Sequence, residues 1–200
     1  MKAAIVLNSK GNIVNIEEDF IIAADAGYEE VLKQGKTPNI VIGDFDSANI
    51  PDDLKIIKLQ VEKDDTDGQA AIEYAKENNI DEVVLYGVSG GRVDHELCNL
   101  SLLAKAYSLG IKAIAKTPNG EIFYKETGKV SFKTQKGATF SIIAFGSDLL
   151  INNGINTKYK INNLSISHYD LGRSVSNIAL DDEVSFEILK GNCLIFNFKK

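Results

Sequence analysis

The sequence predicts an α/β domain with a mostly parallel, Rossmann-like sheet over residues 1–117, followed by an all-β sandwich domain over residues 118–200. Three observations carry this. Short apolar runs rich in β-branched residues alternate with stretches of helical periodicity in the first half, as in sheets buried on both faces. The tract Lys116-Thr117-Pro118-Asn119-Gly120 is the clearest break in the chain. Beyond it, β-like runs follow one another without helices, separated by Gly, Asn and Ser clusters.

In the first half, residues 3–7 and 20–24 read as buried strands. The second runs into Asp25, then a helical stretch over 28–34 stopped by Gly35. Strands are predicted at 40–42 and 55–59, a helix carrying Ala70, Ala71, Tyr74 and Ala75, and a strand at 82–86. A helix presenting Leu97, Leu100, Leu103 and Ala104 and a strand at 111–115 complete the series. In the second half, strands are expected at 121–125, 129–132, 139–145, 149–151, 163–166, 183–188 and 193–198.

Composition narrows the function. The 200 residues are 44% hydrophobic, enough for a real core, and the net charge of -6 offers no footprint for nucleic acid or an anionic membrane. Any phosphate held is therefore expected on a small ligand. Cys98 and Cys193 match no zinc spacing and read as reduced, buried, small apolar residues. The opening apolar run is too short for a signal peptide and nothing later approaches a membrane span, so a cytoplasmic location is expected.

The chemistry concentrates in loops that follow strands. In VIGDFDS, residues 41–47, Asp44 and Asp46 sit one residue apart after an apolar run. Two carboxylates a few ångströms apart repel by roughly 4 kcal/mol near a protein surface, which a shared cation relieves. Oxygen donors without His or Cys favour a hard ion, and Mg2+ fits best because it keeps waters and completes its shell with substrate phosphates. An acidic turn capping a helix would use the same residues, and this stretch alone does not separate the two readings. Asp25 also follows a strand, where α/β sheets place ligands, and could equally cap the next helix. In the acidic cluster over 62–68, Thr66 or Asp67 is placed to cap the following helix, leaving other carboxylates for a ligand.

The most informative loop is Gly87-Val88-Ser89-Gly90-Gly91-Arg92-Val93-Asp94-His95. The paired Gly90 and Gly91 allow close backbone approach, a helix start offers unpaired N–H groups to an anion, and Arg92 supplies a bidentate phosphate donor. Asp94 adds an acid beside them, and His95 next to it reads as a residue orienting its neighbour, with a general base as the alternative.

The succession ADAGYE, GDFDS, DTDGQAA and GGRVDHELCNL, followed by a β domain, resembles the thiamine pyrophosphokinase family over nearly the whole chain. GDFDS and GGRVDH are specific as a pair. The resemblance implies transfer of a pyrophosphoryl group from ATP to the hydroxyl of thiamine, giving thiamine diphosphate and AMP, with magnesium, in a homodimer. It implies Asp44, Asp46 and Asp67 as metal ligands and catalytic acids. Asp25 and Asp94 would complete the acidic ring around ATP and metal, and Gly90, Gly91 and Arg92 would hold phosphates. GRSVSNIA resembles the family's thiamine contact, with Ser176 and Asn177 as the residues. The chain lacks tryptophan, so an aromatic wall for thiamine must come from Phe or Tyr. Asp94 or Asp67 would accept the proton of the attacking alcohol. The competing readings are a metal-dependent phosphohydrolase acting on a nucleotide and a non-catalytic magnesium-nucleotide sensor.

Overall fold

A computed structural model gives the structure, which describes residues 1–9, 13–43, 54–58 and 66–200. The chain divides into two compact units, Met1–Pro118 and Asn119–Lys200.

In the first unit, strands β1 (Lys2–Val6), β2 (Ile21–Ala24), β3 (Ile40–Gly43), β4 (Ile56–Lys58), β5 (Glu82–Tyr86) and β6 (Lys112–Thr117) form a parallel sheet in the order β6-β5-β1-β2-β3-β4. Helix α1 (Gly27–Lys33) joins β2 to β3, α2 (Asp67–Glu77) leads into β5, and α3 (Val93–Ser108) joins β5 to β6. The central strands are apolar end to end because both faces are covered: β2 and β3 are buried at every position. One face sets Ala4, Val6, Ala23, Val84 and Tyr86 against Tyr28 and Val31 of α1 and against Ile16. Cβ alternation turns Ala3, Ile5, Ile22 and Leu85 to the other face, where α2 and α3 pack.

Helix α2 starts at a capping box: the Thr66 side chain accepts from Gln69 N, and Gln69 Oε1 accepts from Thr66 N. Thr66 therefore caps the helix. In α3 the buried residues are Leu102, Leu103 and Ala106, while Leu97 is exposed. The expected stripe through Leu97 and Leu100 is thus rotated. Leucines at four nearby positions admit more than one stripe, and packing on α2 and β6 selects this one. The same rotation corrects Cys98, which is exposed, whereas Cys193 is buried as expected.

A polar cluster pins the segment before β2. The Glu18 side chain is 3% exposed, accepts from Tyr86 Oη at 2.8 Å and pairs with Lys2 Nζ at 3.1 Å. Lys116 Nζ meets Glu17 Oε2 at 2.5 Å. Burial pushes the Glu18 carboxyl up, but hydrogen bonds from Tyr86 and Lys2 outweigh it and hold the group below its ordinary value.

The second unit contains two antiparallel sheets. One runs β12 (Asn177–Ile178), β9 (Thr139–Ala144), β14 (Cys193–Phe198), β7 (Gly120–Lys125). The other runs β11 (Leu164–Ile166), β10 (Leu149–Ile155), β13 (Glu183–Lys190), β8 (Gly128–Lys133). Phe132 of β8 stacks edge-on against Phe123 of β7 and Phe140 of β9, at centroid separations of 5.5 and 5.6 Å, so the sheets face each other as a sandwich. Among the described residues no helix is long and apolar enough to cross a membrane.

Candidate functional site

The strand order creates the first site. From β1 the chain builds outward through β2, β3 and β4, then returns to place β5 on the opposite side of β1. Loops leaving β1 and β5 therefore diverge, opening a crevice at their carboxyl ends. A cavity of about 100 Å³ lies there, lined by Asn8 after β1 and by Gly87, Ser89, Arg92, His95 and Asn99 after β5. Two glycines make the closeness possible. A Cβ on Gly27 would stand 2.0 Å from Val6 O, and one on Gly87, at φ +76°, 2.4 Å from Leu7 O.

The β5–α3 loop satisfies itself. Gly90 N and Gly91 N both donate to Glu96 Oε1, at 2.8 and 3.1 Å. Arg92 clamps Asp94 through Nε and Nη2, at 3.1 and 2.5 Å, and His95 N donates to Asp94 Oδ1 at 3.0 Å. The Arg92 hydrogen bond holds the Asp94 carboxyl below the usual carboxylate range. Both side chains are largely exposed, at 71% and 61%. The pairing engages two of the five guanidinium N–H groups and leaves the others for an incoming anion. The pairing holds the Asp94 carboxylate against the plane of the Arg92 guanidinium.

The acidic residues fall as follows. Asp25 follows β2 directly in a left-handed conformation, φ +47°, and its N donates to Ile42 O of β3 at 2.8 Å. That bond sets Asp25 beside Gly43, the residue before Asp44. Asp67 opens α2, half-buried. Asp44 and Asp46 lie outside the described residues. Among the described residues no three His, Cys, Asp or Glu side chains cluster as a metal site.

The second unit holds a larger cavity, about 390 Å³, with Ile142, Ile151 and Ile161 as lining and Tyr159, Arg173 and Asn177 among its other residues. Asn177, 8% exposed, makes three hydrogen bonds through its amide. Its Oδ1 accepts from Tyr159 N at 3.0 Å and Ile178 N at 2.8 Å, and its Nδ2 donates to Tyr159 O at 2.8 Å. The amide thus grips the Tyr159 backbone on both sides. Ser176 sits at φ +60° with its N donating to Ser141 Oγ at 3.0 Å, and its side chain is not part of this cavity lining.

Sequence reasoning missed Glu96, Tyr159 and Arg173. An acidic residue in a helix first turn is a recognisable partner for the N–H groups just before it, so Glu96 had a local signal. Arg173 lies four residues before Asn177 in GRSVSNIA and was within reach of that motif, whereas Tyr159 had no local signal, since chain folding brings it to Asn177.

A parallel α/β unit with a glycine- and arginine-bearing loop at its switch point, in one chain with a β-sandwich, defines the class as a two-unit α/β and β-sandwich protein. Residues 13–115 match the family model described as thiamin pyrophosphokinase, catalytic domain. A thiamine pyrophosphokinase of Bacillus subtilis is 30% identical over 185 residues, covering 88% of this chain and 85% of the relative. Thiamin pyrophosphokinase 1 of Caenorhabditis elegans is 25% identical over 185 residues, covering 86% and 74%. The crystal structure of thiamine pyrophosphokinase from Bacillus subtilis superposes with a TM-score of 0.87 at 24% identity, covering 100% of both chains, and shares the fold. The chain belongs to the thiamin pyrophosphokinase family, whose activity is transfer of pyrophosphate from ATP to thiamine.

Proposed function

We propose that this protein performs the family reaction with ATP bound at the switch-point crevice of a Rossmann-like first unit and thiamine at the cavity of the second. The observation that carries the reading is the Gly90-Gly91-Arg92 loop, whose N–H groups already hold a carboxylate oxygen where a phosphate oxygen would sit. Arg92 supplies the charged fork, aligned by Asp94. Mg2+, held by Asp44, Asp46 and Asp67 with Asp25 at the adjacent strand end, would neutralise the charge of the transferring group. The all-oxygen donor set suits this hard ion. Asp94 or Asp67 is the candidate to take the alcohol's proton, since an ionised carboxylate is the form that accepts one.

For thiamine, Asn177 acts through Tyr159, whose ring provides the aromatic wall in a chain without tryptophan. Ser176, exposed beside it, offers a hydroxyl. A homodimer, on the family resemblance, and a cytoplasmic location, on the short opening apolar run, complete the reading. The test is incubation of the full chain with magnesium, ATP and thiamine. AMP and thiamine diphosphate should form in equal amounts. AMP or ADP released equally well without thiamine would establish a phosphohydrolase, and tight ATP binding with no turnover a sensor.

A further inference from the structure

The contact between Glu96 and the glycine pair has a role of its own. One carboxylate oxygen, Glu96 Oε1, accepts from two successive backbone N–H groups, Gly90 and Gly91. Successive N–H groups aimed at one point form an anion-binding concavity, and an ionised oxygen is the acceptor such a concavity favours. Glu96 also lines the crevice cavity, beside Arg92, His95 and Asn99. The side chain that satisfies the loop therefore stands inside the space a ligand would enter. We propose that Glu96 is an internal phosphate surrogate, a specificity-determining residue that occupies the N–H pair in the free protein and is displaced when a nucleotide phosphate binds. This deepens the reading of the loop as a phosphate site and rests on it.

The consequences follow from charge. Two anionic oxygens cannot share one pair of donors, and at contact distance they repel by several times thermal energy near a protein surface. The incoming group must therefore supply more than Glu96 does. A metal-complexed polyphosphate, with several charged oxygens and Arg92 as a second anchor, meets that condition. A lone carboxylate or other monoanion competes on equal terms and gains little. Glu96 in this role lowers affinity for every anion and selects for phosphate chains, while keeping the N–H groups of Gly90 and Gly91 hydrogen-bonded when no nucleotide is present.

The alternative role is a plain structural cap, in which Glu96 shapes the loop and the phosphates depend on that shape. Substitution moves affinity in opposite directions for the two roles. The experiment measures equilibrium binding of magnesium-ATP and of inorganic pyrophosphate to the full-length protein, without thiamine, for wild type, E96Q and E96A. Removal of a charge-assisted competitor is expected to tighten magnesium-ATP binding about tenfold in E96A. E96Q, which keeps the shape and a weaker acceptor, should fall between E96A and wild type. Unchanged or weaker ATP binding by E96Q, with an unaltered thermal melt, would overturn the proposal even if E96A failed to fold. Thiamine-dependent AMP formation by wild type is measured in parallel. Its absence would count against the proposed reaction and leave the affinity comparison standing on its own.

Discussion

Asn177→Ala tests how the second cavity is built. The amide makes three hydrogen bonds, two to the Tyr159 backbone and one from Ile178 N, and the residue is 8% exposed. A hydrogen bond of this kind contributes about 1 kcal/mol net, and water reaches the Tyr159 backbone once the amide is gone, because the residue is 58% exposed. The cost should be about 2 kcal/mol, read as a lower urea midpoint with an unchanged slope. Tyr159 would lose its fixed position, so the KM for thiamine should rise about tenfold at saturating ATP, roughly the effect of one misplaced aromatic contact. The KM for ATP should not move. Asn177→Asp keeps the two acceptor bonds but sets a carboxylate oxygen against Tyr159 O, and should cost at least as much as Asn177→Ala near neutral pH. A wild-type unfolding midpoint together with a raised thiamine KM would mean that the amide meets the ligand directly, and would refute the positioning role.

Three further outcomes are expected. Arg92→Lys should weaken ATP binding about tenfold despite keeping the charge, measured by calorimetry, because an ammonium cannot grip Asp94 and a phosphate in one plane. Asp44→Asn and Asp46→Asn should each abolish turnover at saturating magnesium with an unchanged circular dichroism spectrum; wild-type turnover would remove them from the metal site. Glu18 sets an acid limit: its folded value lies below its ordinary one, so its contribution is complete above the ordinary carboxylate range and is lost as pH falls through the depressed value. Glu18→Gln should cost about 1–2 kcal/mol near neutral pH and flatten the acid limb of stability, followed by urea midpoints down to about pH 3. An acid limb identical to wild type would show that other carboxylates control it.

What the sequence by itself determined was local. Strand runs such as residues 82–86, the capping box at Thr66 and the break at Pro118 depend on neighbours a few residues apart, and periodicity records them. The Gly90-Gly91-Arg92 run before a helix was legible as a strand-to-helix loop for the same reason. Only the tertiary structure decided that β5 lies beside β1, which makes that loop face Asn8 across a crevice, because parallel pairing joins strands distant in sequence. It alone distributed the later strands over two sheets, since hydrogen-bonding partners such as β9 and β14 are separated by most of the second unit. It rotated α3 so that Cys98 faces solvent, a choice left open by a helix with more leucines than one face needs. It also brought the Asn177 amide onto the Tyr159 backbone, and Glu96 Oε1 onto the N–H groups of Gly90 and Gly91. A side chain's type tells what it can bond, and which of several partners it meets depends on the path of the whole chain.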